Sequence, residues 1–240
     1  MTLIYGHRGA KGEAPENTLV SFEQCLQHGV RRCELDLHLS RDGELMVIHD
    51  PTLKRTTGRR GKVVQHDADE LVNYDAREGG PGWKTPCPIP RLSELFEKCD
   101  FEHWQLEVKS ASRVRAARTV MAIKELAEQH RLLDRITVTS SSREVLRALN
   151  RLAPEISRGL VAEYTWLDPL KVARQYGCSL LALKWTLCTP ERLEKARKQG
   201  LHVSVWTVNE PALMRRLADL GVDSLITDYP GLAVSTLSRS

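Results

Sequence analysis

Four short clusters carry side chains that could do chemistry together: His7-Arg8, Glu34-Leu35-Asp36, His49-Asp50 and Glu107-Val108-Lys109. In a strand, alternate residues share one face, so Glu34 points with Asp36 and Glu107 with Lys109. Acids crowded this closely repel one another and need a cation. Donors that are all oxygen select a hard ion, Mg²⁺, Ca²⁺ or Mn²⁺, rather than zinc. Glu34-x-Asp36 alone reads equally as a solvated or salt-bridged pair; a third acid, Glu107, from a neighbouring strand end turns the reading to a metal site. Arg8 and Lys109 beside it suit a polyanionic ligand such as a phosphate. His7 and His49, both able to titrate near neutral pH, supply a base and an acid for a hydrolysis. His38, His103 and His202 read instead as hydrogen-bonded barrel residues, and His28, His66 and His130, on helices or loops, as facing water.

These clusters meet only if the chain brings them to one place. After Phe101, β-rich runs recur at Trp104–Lys109, Ile136–Ser140, Arg158–Ala162, Leu180–Lys184, His202–Thr207 and Asp223–Thr227, with helical periodicity between them. Leu146, Leu149 and Leu152 share one helix face; Leu213, Leu217 and Leu220 share another. Asp168-Pro169, Thr189-Pro190 and Glu210-Pro211 mark helix starts, and Gly177, Gly200 and Gly221 mark helix stops. Leu3–Gly6 and Arg32–Leu39, flanking a helix over Thr18–His28, complete eight strands. The alternation predicts an α/β fold, a (β/α)8 barrel of the TIM type spanning residues 1–240 as one domain. A leucine-rich horseshoe is excluded by the absence of its Leu-x-x-Leu-x-Leu consensus.

In such a barrel the reactive residues sit at the C-terminal strand ends. That rule adds Asp50, Glu163, Lys184, Trp206, Asn209 and Asp228 to the residues around the mouth. A ninth run, Leu45–His49, follows Asp42-Gly43, read as a two-residue hairpin turn. Pairing Arg41 with Glu44 folds it antiparallel on Arg32–Leu39 and sets His49 opposite Asp36. Residues 51–90, rich in Gly and Pro, are an irregular insertion after the second strand, either a bland surface excursion or a cap over the mouth.

Composition narrows the classes. Of 240 residues, 41% are hydrophobic and 28% charged, an ordinary globular balance. The net charge of +4 is mild, and aromatics at 5% are not interleaved with the basic residues, so nucleic-acid binding finds little support. No run of about 18 apolar residues could insert across a membrane. Leu3 enters a strand with no basic leader before it, which predicts a cytoplasmic chain beginning at Met1. Six scattered cysteines without a C-x-x-C pair read as small buried apolar residues.

In order along nearly the whole chain stand Gly6-His7-Arg8-Gly9, Pro15-Glu16-Asn17-Thr18, Glu34-Leu35-Asp36, His49-Asp50, Glu107-Val108-Lys109, Trp206-Thr207-Val208-Asn209 and Thr227-Asp228-Tyr229-Pro230. Together these blocks resemble the glycerophosphodiester phosphodiesterase family, in its bacterial cytosolic form. The resemblance implies metal-dependent hydrolysis of a small glycerophosphodiester, such as glycerophosphocholine or glycerophosphoethanolamine, to sn-glycerol 3-phosphate and an alcohol. It implies Glu34, Asp36 and Glu107 as ligands of one divalent cation and His7 and His49 as the catalytic pair. Arg8 and Lys109 fall where phosphate is held, and Trp206 at a substrate-side position. The 51–90 segment resembles the family's insertion. One departure is Ile89-Pro90-Arg91-Leu92, where threonine more often precedes the leucine.

Two other readings use the same template. A phospholipase C or a sphingomyelinase-D-like phosphodiesterase would work at membrane surfaces and show an apolar rim or a secretion signal; neither is evident in the sequence. An inactive barrel serving as a binding module would have lost a member of the His–His–acid set, and all are present. The oligomeric state has no signature here.

Overall fold

The structure, a computed structural model, describes residues 2–110, 112–164 and 167–238. Its strands are β1 (Leu3–His7), β2 (Arg32–Leu39), β3 (Leu45–Val47), β4 (His103–Val108), β5 (Ile136–Ser140), β6 (Ser157–Ala162), β7 (Leu180–Lys184), β8 (His202–Trp206) and β9 (Ser224–Thr227). All but β3 pair in parallel in the order β1-β9-β8-β7-β6-β5-β4-β2, and β1 returns to β2. The result is a closed barrel of eight parallel strands, as the alternation predicted. The crossover helices cover the outer face of the strands, so apolar residues there alternate with inward-facing polar ones, as along Arg32–Leu39 in β2.

The helices are α1 (Leu19–Gln27), α2 (Lys54–Thr57), α3 (Ala68–Leu71), α4 (Leu92–Lys98), α5 (Arg113–Gln129), α6 (Arg143–Leu152), α7 (Pro169–Gln175), α8 (Pro190–Lys198), α9 (Pro211–Asp219) and α10 (Pro230–Leu237). Proline opens α7 to α10. Asp168 and Thr189 accept from the backbone N–H groups of Leu170 and Arg192, so two of the three expected caps form; Glu210 makes no such bond. Outward-facing Leu35, Leu106, Val138, Leu181 and Val203 pack against Val120, Ile123, Leu149, Leu193 and Leu217 in one core. Trp104 fills the gap beneath α1 and α4, edge-on to Phe96 and Phe101. The cysteines are all free, and all but the half-buried Cys188 are buried.

Inside the barrel most side chains are polar, and several span it, though Val161, Ala182 and Ile226 are apolar. His103 bridges the Tyr5 hydroxyl and Thr137 Oγ1, each at 3.1 Å, and Gln105 on β4 donates to Ser204 on β8 at 3.4 Å. His202 bonds Ser224 Oγ at 2.8 Å. His103 and His202 are thus hydrogen-bonded residues of the closed end, as read from sequence. His28, His66 and His130 are half-buried rather than free in water. His28 is bonded to Glu13, His66 Nδ1 lies 2.9 Å from Glu70, and His130 packs against Phe96.

The hairpin is antiparallel, as expected, but its register is one residue off. Leu37 pairs with Val47 and Leu39 with Leu45, which puts Ile48, not His49, across from Asp36; the Ile48 N–H donates to the Asp36 carbonyl at 3.0 Å. The cause is the turn. Ser40 and Glu44 close three residues, Arg41-Asp42-Gly43, with Gly43 at φ +95°, the left-handed position that a three-residue loop requires and glycine supplies. The insertion is not irregular throughout. It folds α2, a 3₁₀ turn at Val63–Gln65 and α3 around a small core of Met46, Ile48, Leu53, Val63, Leu71 and Ile89.

Candidate active site

Register brings the clusters together. His7 pairs with Glu34 across β1–β2, and Asp36 with Glu107 across β2–β4. One carboxylate oxygen from each of Glu34, Asp36 and Glu107 lies within 4.8 Å of the others. His7, Arg8, Glu34, His49, Glu107, Lys109 and Trp206 all line one cavity of about 400 Å³ at the C-terminal strand ends, while Asp36 is fully buried beneath it.

The turn after β1 aims Arg8 and His7. Gly9, at φ +85°, sits so close to Ser21 that a Cβ there would meet its backbone at 2.5 Å. Arg8 follows β1 at φ 51° and folds inward, its Nη1 2.8 Å from Glu16 and its Nε 2.9 Å from Asp36. The second contact is off the line of a hydrogen bond, so Arg8 Nε is a buried donor with charge attraction only. Lys109 Nζ lies 2.6 Å from Asp36 and 3.7 Å from Glu107, and Asn17 donates to Asp36 at 3.0 Å.

The three acids respond differently to this crowding. Burial, Asp36 and Glu107 push Glu34 well above the usual carboxylate range. Burial, then Asp36, pushes Glu107 up to about 7. Burial opposes the Asp36 charge too, but Arg8 and Lys109 together hold it far below the usual range. Two local cations thus satisfy one of three carboxylates. The other two are pushed toward their neutral form, a shift that a further cation would reverse, so the donor set fits a hard divalent ion.

Each histidine is held by a carboxylate. His7 Nδ1 bonds Asp228 Oδ1 at 2.5 Å and its Nε2 lies 3.8 Å from Glu34. Asn209 braces Asp228, donating to Oδ2 at 2.8 Å and accepting from the Asp228 N–H at 2.9 Å. His49 Nδ1 bonds Asp50 Oδ1 at 2.6 Å, and His38 Nε2 donates to the His49 carbonyl at 3.0 Å. Burial lowers both imidazoles below their ordinary 6.5; Asp228 pulls His7 back only in part, as Asp36 does His49.

Asp228, Asn209 and Asp50 were legible as strand-end residues without a role. Arg55, from the first helix of the insertion, was not legible at all. It donates to Asp50 at 2.8 Å and to Glu16 at 2.7 and 3.0 Å, linking His49 to Arg8 through a chain of charges. No residue of 51–90 lines this cavity, but Pro51, Lys62 and Val64 line an adjoining one that shares Lys109 and Ser141 with it, so the insertion buttresses the site and borders its mouth. Glu163 also lines the cavity, with Lys184 3.1 Å away, and the Trp206 indole N–H donates to the Ala182 carbonyl at 3.2 Å. A second departure from expectation is an apolar rim. Val114, Tyr164, Leu167, Trp185, Tyr229 and Leu232, all exposed, follow the C-terminal ends of strands. Single apolar residues in short loops or first helical turns leave no periodicity, and only their burial distinguishes them from core.

Residues 7–232 match the Glycerophosphoryl diester phosphodiesterase family. The chain is 30% identical to a glycerophosphodiester phosphodiesterase of Caldanaerobacter subterraneus over 240 residues, covering 99% of this chain and 98% of the relative. It is 31% identical to one from Bacillus altitudinis, covering 98% and 97%. The structure of an Oleispira antarctica phosphodiesterase, in complex with the product sn-glycerol-3-phosphate, superposes with a TM-score of 0.89. Its sequence identity is 28%, and the alignment covers 99% of this chain and 97% of that one.

Proposed function

The chain belongs to the glycerophosphoryl diester phosphodiesterase family, and we propose that it hydrolyses glycerophosphodiesters to sn-glycerol 3-phosphate and an alcohol by metal-assisted His/His acid–base catalysis. The observation that carries this reading is the meeting of three carboxylate oxygens within 4.8 Å on the cavity that His7 and His49 also line. Glu34, Asp36 and Glu107 would hold one Mg²⁺, Ca²⁺ or Mn²⁺, which supplies Lewis-acid stabilisation of the charge developing on the phosphoryl oxygens. Arg8 and Lys109 present fixed positive charge to the same phosphate from the cavity wall. Trp206, its ring fixed by the bond to Ala182, bounds the substrate side.

The partners of the two histidines support a division of labour. A carboxylate can only accept, so each Nδ1 carries the hydrogen and each Nε2 is left for the substrate. Asp228 shares its charge with a neutral amide, Asn209, and so keeps it for an imidazolium on His7. Asp50 shares both oxygens with the Arg55 guanidinium, at 2.8 and 3.3 Å, and holds a proton on His49 less firmly. His7 is therefore the base, taking a proton from water or from the adjacent glycerol hydroxyl. His49 is the acid that protonates the departing alkoxide. The reaction takes place on a single barrel domain in the cytoplasm.

The test is product identification with purified protein, a panel of glycerophosphodiester headgroups and each of the three ions. Release of sn-glycerol 3-phosphate is expected; no release from any headgroup with any ion would refute the reading.

A further inference from the structure

Seven large apolar side chains stand exposed among the described residues, and six of them lie around the barrel mouth. Val114 follows β4; Tyr164 and Leu167 follow β6; Trp185 follows β7; Tyr229 and Leu232 follow β9. Val114 is 71% exposed and Tyr164 63%. Folding gains nothing from apolar side chains left in water, and a monomer exposes them singly and at random rather than gathered on one face. The four segments that carry them, after β4, β6, β7 and β9, are spread over more than half the barrel's circumference. No single acyl chain or peptide lying in a groove could touch all four, whereas a flat partner laid on the mouth could.

The charges beside them indicate which flat partner. Lys11, Arg113, Arg115, Arg143 and Lys171, on the loops or first helical turns at the same end, form no ion pair among the described residues. The mouth-side acids are mostly engaged: Glu163 with Lys184, Glu144 with Arg147 and Glu191 with Lys195. Asp168 and Glu210 are left without a cation. Exposed tyrosine and tryptophan, aliphatic side chains and surplus cations together match an anionic lipid–water interface. We infer that the mouth of the barrel docks on an anionic lipid surface, seating Tyr164 and Trp185 at headgroup level with Arg113 and Arg115 against lipid phosphates. The active cavity then opens at the interface where lipid-derived diesters are produced. This docking stands on the rim and not on the reaction proposed above.

Sedimentation with vesicles tests it without any assay of hydrolysis. Wild-type protein is expected to pellet with phosphatidylcholine vesicles containing phosphatidylglycerol and to bind pure phosphatidylcholine at least about tenfold more weakly. The double variant Tyr164→Ser/Trp185→Ser and the charge-reversed Arg113→Glu/Arg115→Glu should each lose about tenfold or more on the mixed vesicles. Both sets of positions are exposed, and unchanged thermal melting and unchanged hydrolysis of a soluble glycerophosphodiester would show the variants folded. Wild-type protein left in the supernatant, or variants that pellet like wild type, would overturn the inference. So would a wild-type dimer in solution that the Tyr164→Ser/Trp185→Ser variant dissolves while vesicles capture neither, since the rim would then cover a second copy.

Discussion

A carboxylate with no access to water stays charged only where cations face it, and Asp36 shows the case: fully buried, yet held ionised by Arg8 and Lys109. Glu34 and Glu107 feel the same two cations more weakly than they feel burial and the Asp36 charge, and are pushed upward. The histidines follow the same logic, each oriented by its own aspartate. Replacing either His7 or His49 by alanine should lower kcat by about 10²- to 10⁴-fold, the usual contribution of a positioned acid or base, with folding intact by circular dichroism. Full activity in either variant would remove that residue from the mechanism. The base must be neutral to act, so activity rises with pH through the His7 pKa, which burial places below 6.5. Asp228 raises that pKa, so Asp228→Asn should lower it further. The acidic limb of kcat/KM is then expected to move to lower pH, with a reduced plateau from the weaker base. A limb that stays in place would show that His7 does not set it.

At the scale of elements, the strands were legible because short β-rich runs, apolar on the face that meets the helices, recur between helical segments, and the helices because proline and capping residues punctuate them. Glu34, Asp36, Glu107 and Lys109 were legible because strand alternation fixes which residues share a face. The hairpin register was not. Asp42-Gly43 suits a two-residue turn and equally the three-residue turn that formed, and one residue of loop moves every pairing. Arg55 was beyond reach because it comes to the site through tertiary packing of the insertion, not along a strand. The closed end of the barrel carries a test of its own. His103, half-buried on β4 and bonded to Tyr5 of β1 and Thr137 of β5, has its pKa lowered to about 4, by desolvation first and then by Arg32. A folded pKa below the unfolded 6.5 means that the fold favours neutral imidazole. Its contribution is complete above about 6.5 and is lost as pH falls toward 4, where the unfolded chain binds the proton and the folded one does not. The loss amounts to about 3 kcal/mol. His103→Gln should flatten thermal stability against pH in that window relative to wild type. Parallel curves would contradict the assignment.

Over the whole molecule, the barrel interior grades from neutral bridges such as His103 to Thr137 near the closed end to charged clusters at the mouth. The net charge of +4 conceals this separation. Charge crowded at the mouth also links metal to stability. A divalent ion at about 100 times its dissociation constant should stabilise the fold by about 2.7 kcal/mol. At this chain length that is a rise in Tm of about 5 to 10 °C. Affinity should weaken as pH drops below about 7, because Glu107 must release its proton to bind. Thermal melts titrated with Mg²⁺, Ca²⁺ and Mn²⁺ at several pH values check both statements, and a Tm indifferent to all three ions would count against the site. The most direct test of the central claim, that three carboxylates place a cation beside two histidines to cleave a phosphodiester, is the rate of sn-glycerol 3-phosphate release before and after exhaustive chelation. The rate should collapse on chelation and return when a divalent ion is restored; an unchanged rate in the chelated protein would contradict the account.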